Sequence, residues 1–324
     1  MYKIPTILRS NELIDKAFHK ATKIPENLKI KNRIIRKKKN IISKIDAVSD
    51  VINSTLEKYI STFPSFDQVN KFDFELINIL ISIDKIRKSL GAIDWARKQI
   101  LRLRTEYNKK LNKIKTQDQY SNLEELRRMF YGRITSILKQ ISQHLDFLNY
   151  ARNQMKELPS INPELTTIVV AGFPNVGKSL FVRQISSAKP KIAKYPFTTQ
   201  QLNIGHITIN NQKVQVIDTP GLLDRNPEER NKIELQAIMA LQYLADLIIF
   251  ILDPSEHCGY TMDEQCKLLD KVRKLFKDVE ILDVENKVDI LSSSSDRLKI
   301  SSLEGTNLDE LMDVVRGLLM ENAN

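Results

Sequence analysis

Apolar positions in the first half of the 324-residue chain recur at three-, four- and seven-residue spacings, whereas in the second half they gather into short continuous runs. The first spacing predicts amphipathic helices and the second predicts buried strands. A short segment opening at Ser10-Asn11-Glu12 leads into three long helical patterns. One runs from Lys29 to Phe63 through Ile30, Ile34, Ile41, Ile45, Val48, Ile52, Leu56 and Tyr59, and Phe63-Pro64-Ser65 breaks it. A second runs from Val69 to Lys115 with a near-heptad stripe that includes Phe72, Leu76, Ile83, Ile86, Ile93, Ile100, Tyr107 and Leu111. The third opens with a capping box, Ser121-x-x-Glu124, and passes through Phe130, Ile134, Ile141, Leu145 and Leu148 to Pro159. Three long helices joined by short breaks predict an antiparallel helical bundle over residues 1–160. Beyond the linker Pro159–Pro163, runs such as Thr167–Ala171, Val214–Ile217, Leu247–Leu252 and Val279–Val284 alternate with helical patterns. That alternation predicts a mostly parallel doubly wound sheet over residues 161–324.

Charge divides the chain at the same place. Up to Glu164 there are 32 Lys+Arg against 18 Asp+Glu, net +14, and the remainder holds 18 against 22, net −4. Basic residues crowd from Lys29 through Lys37, Lys38 and Lys39 and again along the second helix at Arg97, Lys98, Arg102 and Arg104. An ordinary solvated face mixes signs, so nucleic acid is the expected partner of this half, through phosphate-backbone contact rather than base readout. Trp95 lies between stripe positions and reads as packing. The longest apolar run, Leu247–Leu252, is far too short to span a bilayer, and the start of the chain has no apolar signal region. Cys258 and Cys266 make no disulfide framework and no zinc spacing. A soluble cytoplasmic protein is expected, with no membrane and no DNA partner.

Gly172-Phe173-Pro174-Asn175-Val176-Gly177-Lys178-Ser179 fits the phosphate-binding loop G-x-x-x-x-G-K-[S/T] and directly follows the first strand. Its glycines let backbone N–H groups turn towards phosphate, Lys178 reaches the β- and γ-phosphates, and the Ser179 hydroxyl is placed to ligate Mg²⁺. Asp218-Thr219-Pro220-Gly221 closes a later strand: the carboxylate would hold Mg²⁺ through water and the Gly221 N–H would meet the γ-phosphate. Asn286-Lys287-Val288-Asp289 selects the base, because a carboxylate at Asp289 accepts from both N1–H and the 2-amino group of guanine. Ser301 and Ser302 offer backbone N–H to the guanine oxygen. Thr199, within Tyr195-Pro196-Phe197-Thr198-Thr199, is the expected switch threonine and third protein ligand of Mg²⁺. Together these motifs, each at a strand end and in this order, predict a GTPase.

The phosphate loop together with Tyr195–Thr199 resembles the Obg branch of translation-factor-related GTPases. The runs Asp218–Ile238 and Asp253–Gln265 are similar to those of the nucleolar GTP-binding protein (Nog) family, and the similarity extends over nearly the whole chain. The resemblance implies a helical domain before a GTPase domain, GTP and GDP as ligands, and large-subunit ribosomal RNA and the pre-ribosomal particle as partners. It carries nucleotide-binding roles onto Asn175, Val176, Gly177, Lys178, Ser179, Leu180, Thr199, Asp218, Gly221, Asn286, Lys287, Asp289, Ser301 and Ser302, the last standing where alanine is commoner. The sequence ends one helix after Ile300, which resembles a compact archaeal form.

Catalytic roles are expected of Lys178, Thr199, Gly221 and Asn175. Small regulatory GTPases orient the attacking water with a glutamine after the D-x-x-G glycine, and here that position is Leu222. Water must be positioned otherwise: by a backbone group with Leu222 retracted, by a ribosomal partner, or by a potassium ion at Asn175. A plain polar loop residue is the equal alternative at Asn175. Hydrolysis is expected to be slow, on the order of 10⁻³ per second or below. The expected function is a GTP-hydrolysing switch in large-subunit assembly that docks on rRNA through Lys37, Lys38, Lys39, Arg102 and Arg104. A non-catalytic GTP-dependent RNA-binding module and a GTPase of tRNA modification are the alternatives.

Overall fold

A computed structural model describes residues 3–26, 28–115, 120–158, 161–195, 201–220, 223–224 and 232–321. The chain separates into two compact units, Met1–Gln68 with Ile81–Lys156, and Val69–Leu80 with Glu157–Asn324.

The first unit is helical. It contains α1 (Ser10–Thr22), α2 (Arg33–Thr62), α4 (Ile83–Lys113), α5 (Tyr120–Gln140) and α6 (Ser142–Lys156), while α3 (Lys71–Ile81) groups with the second unit except for its last residue. The Asn32 side chain caps α2 by accepting from the N–H groups of Ile34 and Ile35. Along α2 the stripe Ile41, Ile45, Val48, Ile52, Leu56 and Tyr59 is buried as its spacing predicts. Helices α2 and α4 run antiparallel: Lys38 donates to the Ile114 carbonyl, Arg104 pairs with Asp46 and Asp50, and Arg97 pairs with Glu57. Tyr107 fills the interior against Phe130, ring centroids 5.4 Å apart, and its buried hydroxyl has no partner among the described residues.

Two of the three long rods are broken. The second pattern is two helices, because Ser82 takes φ 68 and ψ 107, a strained conformation for a residue with a Cβ. Its neighbours Ile81 and Ile83 are both buried, so the break lets adjacent apolar residues point inward where a continuous helix would splay them. On the far side α3 places Lys71 over the ring of Tyr243, 4.1 Å from its centroid, within the second unit. The third pattern is interrupted at Ile141, between α5 and α6. Ser121 sits inside the first turn of α5, and Glu124 pairs with Lys37 and Arg127 rather than closing a capping box.

The second unit is built on a seven-stranded sheet of order β2-β3-β4-β1-β5-β6-β7. Its strands are β1 (Thr167–Ala171), β2 (Lys191–Lys194), β3 (Gln201–Ile209), β4 (Gln212–Asp218), β5 (Leu247–Leu252), β6 (Glu280–Glu285) and β7 (Leu298–Lys299). Pairings β2–β3 and β3–β4 are antiparallel and the others are parallel. Every residue of β1 and β5 is buried, which explains why both read as unbroken apolar runs. Helices α7 (Lys178–Ile185), α8 (Lys232–Ala240), α9 (Met262–Leu275) and α10 (Leu308–Glu321) complete the unit. Register aligns Val170 with Asp218, Ala171 with Phe250, and Leu252 with Glu285. The loops leaving β1, β4, β5 and β6 therefore open at one carboxyl edge, where ligands of such sheets bind.

Candidate functional site

At that edge the phosphate loop turns through two glycines at which any side chain would be strained. Gly172 has φ +133, and a Cβ there would fall 2.4 Å from the Ile251 carbonyl oxygen. Gly177 has φ +105, and its Cβ would fall 2.2 Å from Asn286 Nδ2. Asn175 is also left-handed, at φ 63. Lys178 opens α7 and is almost wholly buried, its ammonium donating to the carbonyls of Gly172 and Phe173 at 2.7 Å each. Burial lowers the Lys178 pKa, and Asp218 and Asp224 oppose that shift. The loop thus keeps a cation folded across its mouth. Val176 and Leu180 flank these residues, Val176 fully buried.

Asp218, at the end of β4, is fully buried. Its Oδ2 accepts from Ser179 Oγ at 2.5 Å and from Asn203 Nδ2 at 2.9 Å, while Oδ1 has no partner among the described residues. Thr219 Oγ1 ties the next residue back to the Val170 carbonyl at 2.8 Å.

One side chain joins three loops. Asn286 Nδ2 donates to the Val176 carbonyl, its Oδ1 accepts from the Ser302 N–H, and its own N–H donates to the Leu252 carbonyl, each at 2.8 Å. Lys287 follows at φ 64 and donates to Asp253 Oδ2 at 2.7 Å. Asp289 is exposed, with Oδ1 accepting from Ser301 Oγ at 2.5 Å. The Ser302 hydroxyl is buried and without a partner among the described residues. A methyl group would fit that place without losing a hydrogen bond.

The structure therefore brings Asn175, Val176, Gly177, Lys178, Ser179, Leu180, Asp218, Asn286, Lys287, Asp289, Ser301 and Ser302 to one sheet edge. Thr199, Gly221 and Leu222 lie outside the described residues. A family model for the NOG1 N-terminal helical domain matches residues 1–162, and one for nucleolar GTP-binding protein 1 (NOG1) matches residues 232–289. The chain belongs to the NOG1 family.

An uncharacterized protein of Methanocaldococcus jannaschii is 41% identical over 291 residues, 89% of this chain and 81% of that protein. Nucleolar GTP-binding protein 1 of Drosophila melanogaster is 35% identical over 249 residues, 77% of this chain and 38% of its own length. A Plasmodium falciparum crystal structure assigned as nucleolar GTP-binding protein 1 shares 35% identity at a TM-score of 0.47, covering 51% of this chain and 92% of that one. This NOG1 chain spans well under two thirds of the fly relative. Membership of the family and a phosphate loop on a mostly parallel sheet support GTP binding. Among the described residues, no helix is long and apolar enough to cross a membrane.

The basic residues of the helical unit are not equivalent in this NOG1 chain. Lys37 pairs with Glu124, Lys38 donates to the Ile114 carbonyl, and Arg104 bridges Asp46 and Asp50. Lys39 and Arg102 are exposed and carry no such bond among the described residues. A helical pattern shows charge density along a rod but not which acid on the next rod consumes it. Two residues that hold the site were given no role by the nucleotide motifs, Asn203 beside Asp218 and Gln265 beneath the Asp253 loop. Gln265 closes the second run that resembles the family, whereas the only trace of Asn203 in the sequence is a polar residue within an otherwise apolar strand face.

Asn286→Ala removes two buried side-chain hydrogen bonds and strands the Val176 carbonyl and the Ser302 N–H. Without any nucleotide present, chemical denaturation should show the second unit destabilised by roughly 2–6 kcal/mol, the penalty for two unsatisfied buried groups. Wild-type stability in this variant would show that the bridge does not hold the loops together.

Proposed function

We propose that this chain is a GTP-hydrolysing switch of large ribosomal subunit assembly, in which residues 161–324 bind guanine nucleotide and residues 1–160 dock on rRNA. The observation that carries the nucleotide reading is the Asn286 bridge. It draws the base-selecting loop, the phosphate loop and the Ser301–Ser302 turn to one place, with the Asp289 carboxylate exposed beside them.

The chain's own residues act on the nucleotide in stated ways. N–H groups at the start of α7 and the Lys178 ammonium would bind the β- and γ-phosphates, Lys178 exchanging its present carbonyl partners for phosphate oxygen. Magnesium fits the residues present: Ser179 Oγ and the Asp218 carboxylate are hard oxygen donors 2.5 Å apart, and Asp218 Oδ1 is a buried acceptor without a partner among the described residues. When bound, the ion neutralises charge on the β- and γ-oxygens. Thr199 is the proposed third ligand and Gly221 the proposed γ-phosphate donor. The left-handed Asn175 is the proposed potassium ligand, in a site where no glutamine follows Gly221.

RNA docking is supported by the net charge of +14 up to Glu164 and by the name nucleolar carried by relatives. Of the five basic residues assigned to docking, Lys39 and Arg102 are the ones exposed and with no bond among the described residues that spends their charges on neighbouring acids.

Asp289→Asn should exchange guanine for xanthine, because a carboxamide donates to the xanthine 2-oxo group that a carboxylate repels. Titration with GDP and XDP should show GDP affinity falling by about tenfold or more, the cost of a charge-assisted bond, with XDP affinity rising. GDP binding unchanged in the variant would contradict the assignment. For RNA, replacing Lys39 and Arg102 by Gln should lower the slope of log affinity against log salt for large-subunit rRNA fragments by about 0.7–0.9 for each phosphate that the variant no longer meets. An unaltered slope would remove these two residues from the interface.

A further inference from the structure

The loop from Asp253 to Thr261 carries none of the nucleotide motifs, yet it is held by buried polar bonds at both ends. Asp253 is fully buried. Its Oδ1 accepts from the N–H of Ser255 at 3.0 Å and from the Ser255 hydroxyl at 2.5 Å, and its Oδ2 accepts from the Cys258 N–H at 2.8 Å and from Lys287 Nζ at 2.7 Å. Gln265, on α9 and equally buried, grips the loop from below. Its Oε1 accepts from the Asp253 N–H, and its Nε2 donates to the carbonyls of Asp253 and Tyr260. At the far end of the loop Tyr260 stacks on Phe173 of the phosphate loop, ring centroids 4.1 Å apart and planes 26° from parallel. One rigid loop therefore touches the base-selecting loop with its first residue and the phosphate loop with its penultimate one.

Lys287 is the point where this matters. It holds φ 64 without being glycine, a strained conformation that persists only where its surroundings hold it. The Ile290 and Leu291 N–H groups both donate to its carbonyl, so the turn leading through Asp289 is built on it. Its ammonium is only partly exposed and its salt-bridge partner is wholly buried. Burial pushes the Asp253 carboxyl up, but the bonds from Lys287 and Ser255 outweigh it and hold the group below the ordinary carboxylate range.

We propose that Asp253 is a positioning residue for base recognition: it anchors Lys287, and the anchored lysine fixes the turn that presents Asp289. The proposal rests on the guanine reading above and goes beyond the motif, which gives Asp253 no role. Asp253 does not touch the base in this account; it acts through Lys287 alone.

The test is a double-mutant cycle on the full chain, read by binding of a fluorescent N-methylanthraniloyl GDP, with melting temperatures of the nucleotide-free proteins alongside. Asp253→Asn and Lys287→Met should each weaken binding by about tenfold or more. The charge-neutral double variant should bind within about twofold of Lys287→Met, because the second change removes an anchor that no longer has anything to hold. A merely structural role for Asp253 would instead multiply the two losses. Asp253→Asn binding within about twofold of the unaltered chain, or a double variant whose loss is the product of the single ones, would overturn the proposal. Asp253→Asn leaves a lysine without its buried partner and so puts folding at risk. If it does not fold, the double variant compared with Lys287→Met alone decides: a further loss of about tenfold overturns the proposal and near-equality supports it. Failure of the unaltered chain to bind the GDP probe would overturn the guanine reading itself.

Discussion

The nucleotide edge depends on one carboxamide. Strand ends at a sheet edge have no reason of their own to stay together, since each loop leaves its hydrogen-bonding ladder and enters solvent. Asn286 removes that freedom by committing its amide nitrogen and its amide oxygen to backbone groups of two other loops. A glycine at position 177 follows from the same bridge, because any Cβ there would collide with the Asn286 amide. The two motifs that read as separate signatures in the sequence are thus a single packing arrangement.

Around this bridge the second unit concentrates buried charge. Lys178, Asp218, Asp253 and Glu285 are all buried, and each has hydrogen-bond partners within the unit. Asp253 is neutralised by Lys287, and Glu285 accepts from the hydroxyls of Ser293 and Ser295 and lies near Arg297. Buried charges are tolerated only when paired and hydrogen-bonded, so their presence marks where stability has been subordinated to a fixed polar geometry. Asp218 differs from the rest in keeping one oxygen without a partner among the described residues, on the side chain proposed to meet the metal.

Most of the architecture was legible because burial imposes periodicity. The stripe Ile41 to Tyr59 predicts α2, and the apolar runs Thr167–Ala171 and Leu247–Leu252 predict the central strands. What periodicity cannot show is a break that preserves it. The heptad stripe passes through Ser82 unaltered, while the backbone there turns out of the helix and α3 joins the sheet-bearing unit. Charge was legible in number but not in availability: Arg104 looks like its neighbour Arg102 until Asp46 and Asp50 on the adjacent helix are in view. Asp253 stood in a run that marked the family, yet its bond to Lys287 spans 34 residues and no local pattern announces it.

Bonded to one another through Asn286, the base-selecting, phosphate and Ser301–Ser302 loops are assembled before any ligand arrives. Amide hydrogen exchange of the nucleotide-free chain tests this most directly, because the Ser302 N–H donates to the Asn286 side chain. If the loops are preassembled, this amide should exchange at least about a hundredfold more slowly than unstructured chain, and adding GDP should change it little. Exchange at unstructured rates in the free protein, with protection appearing only once GDP is bound, would contradict the account.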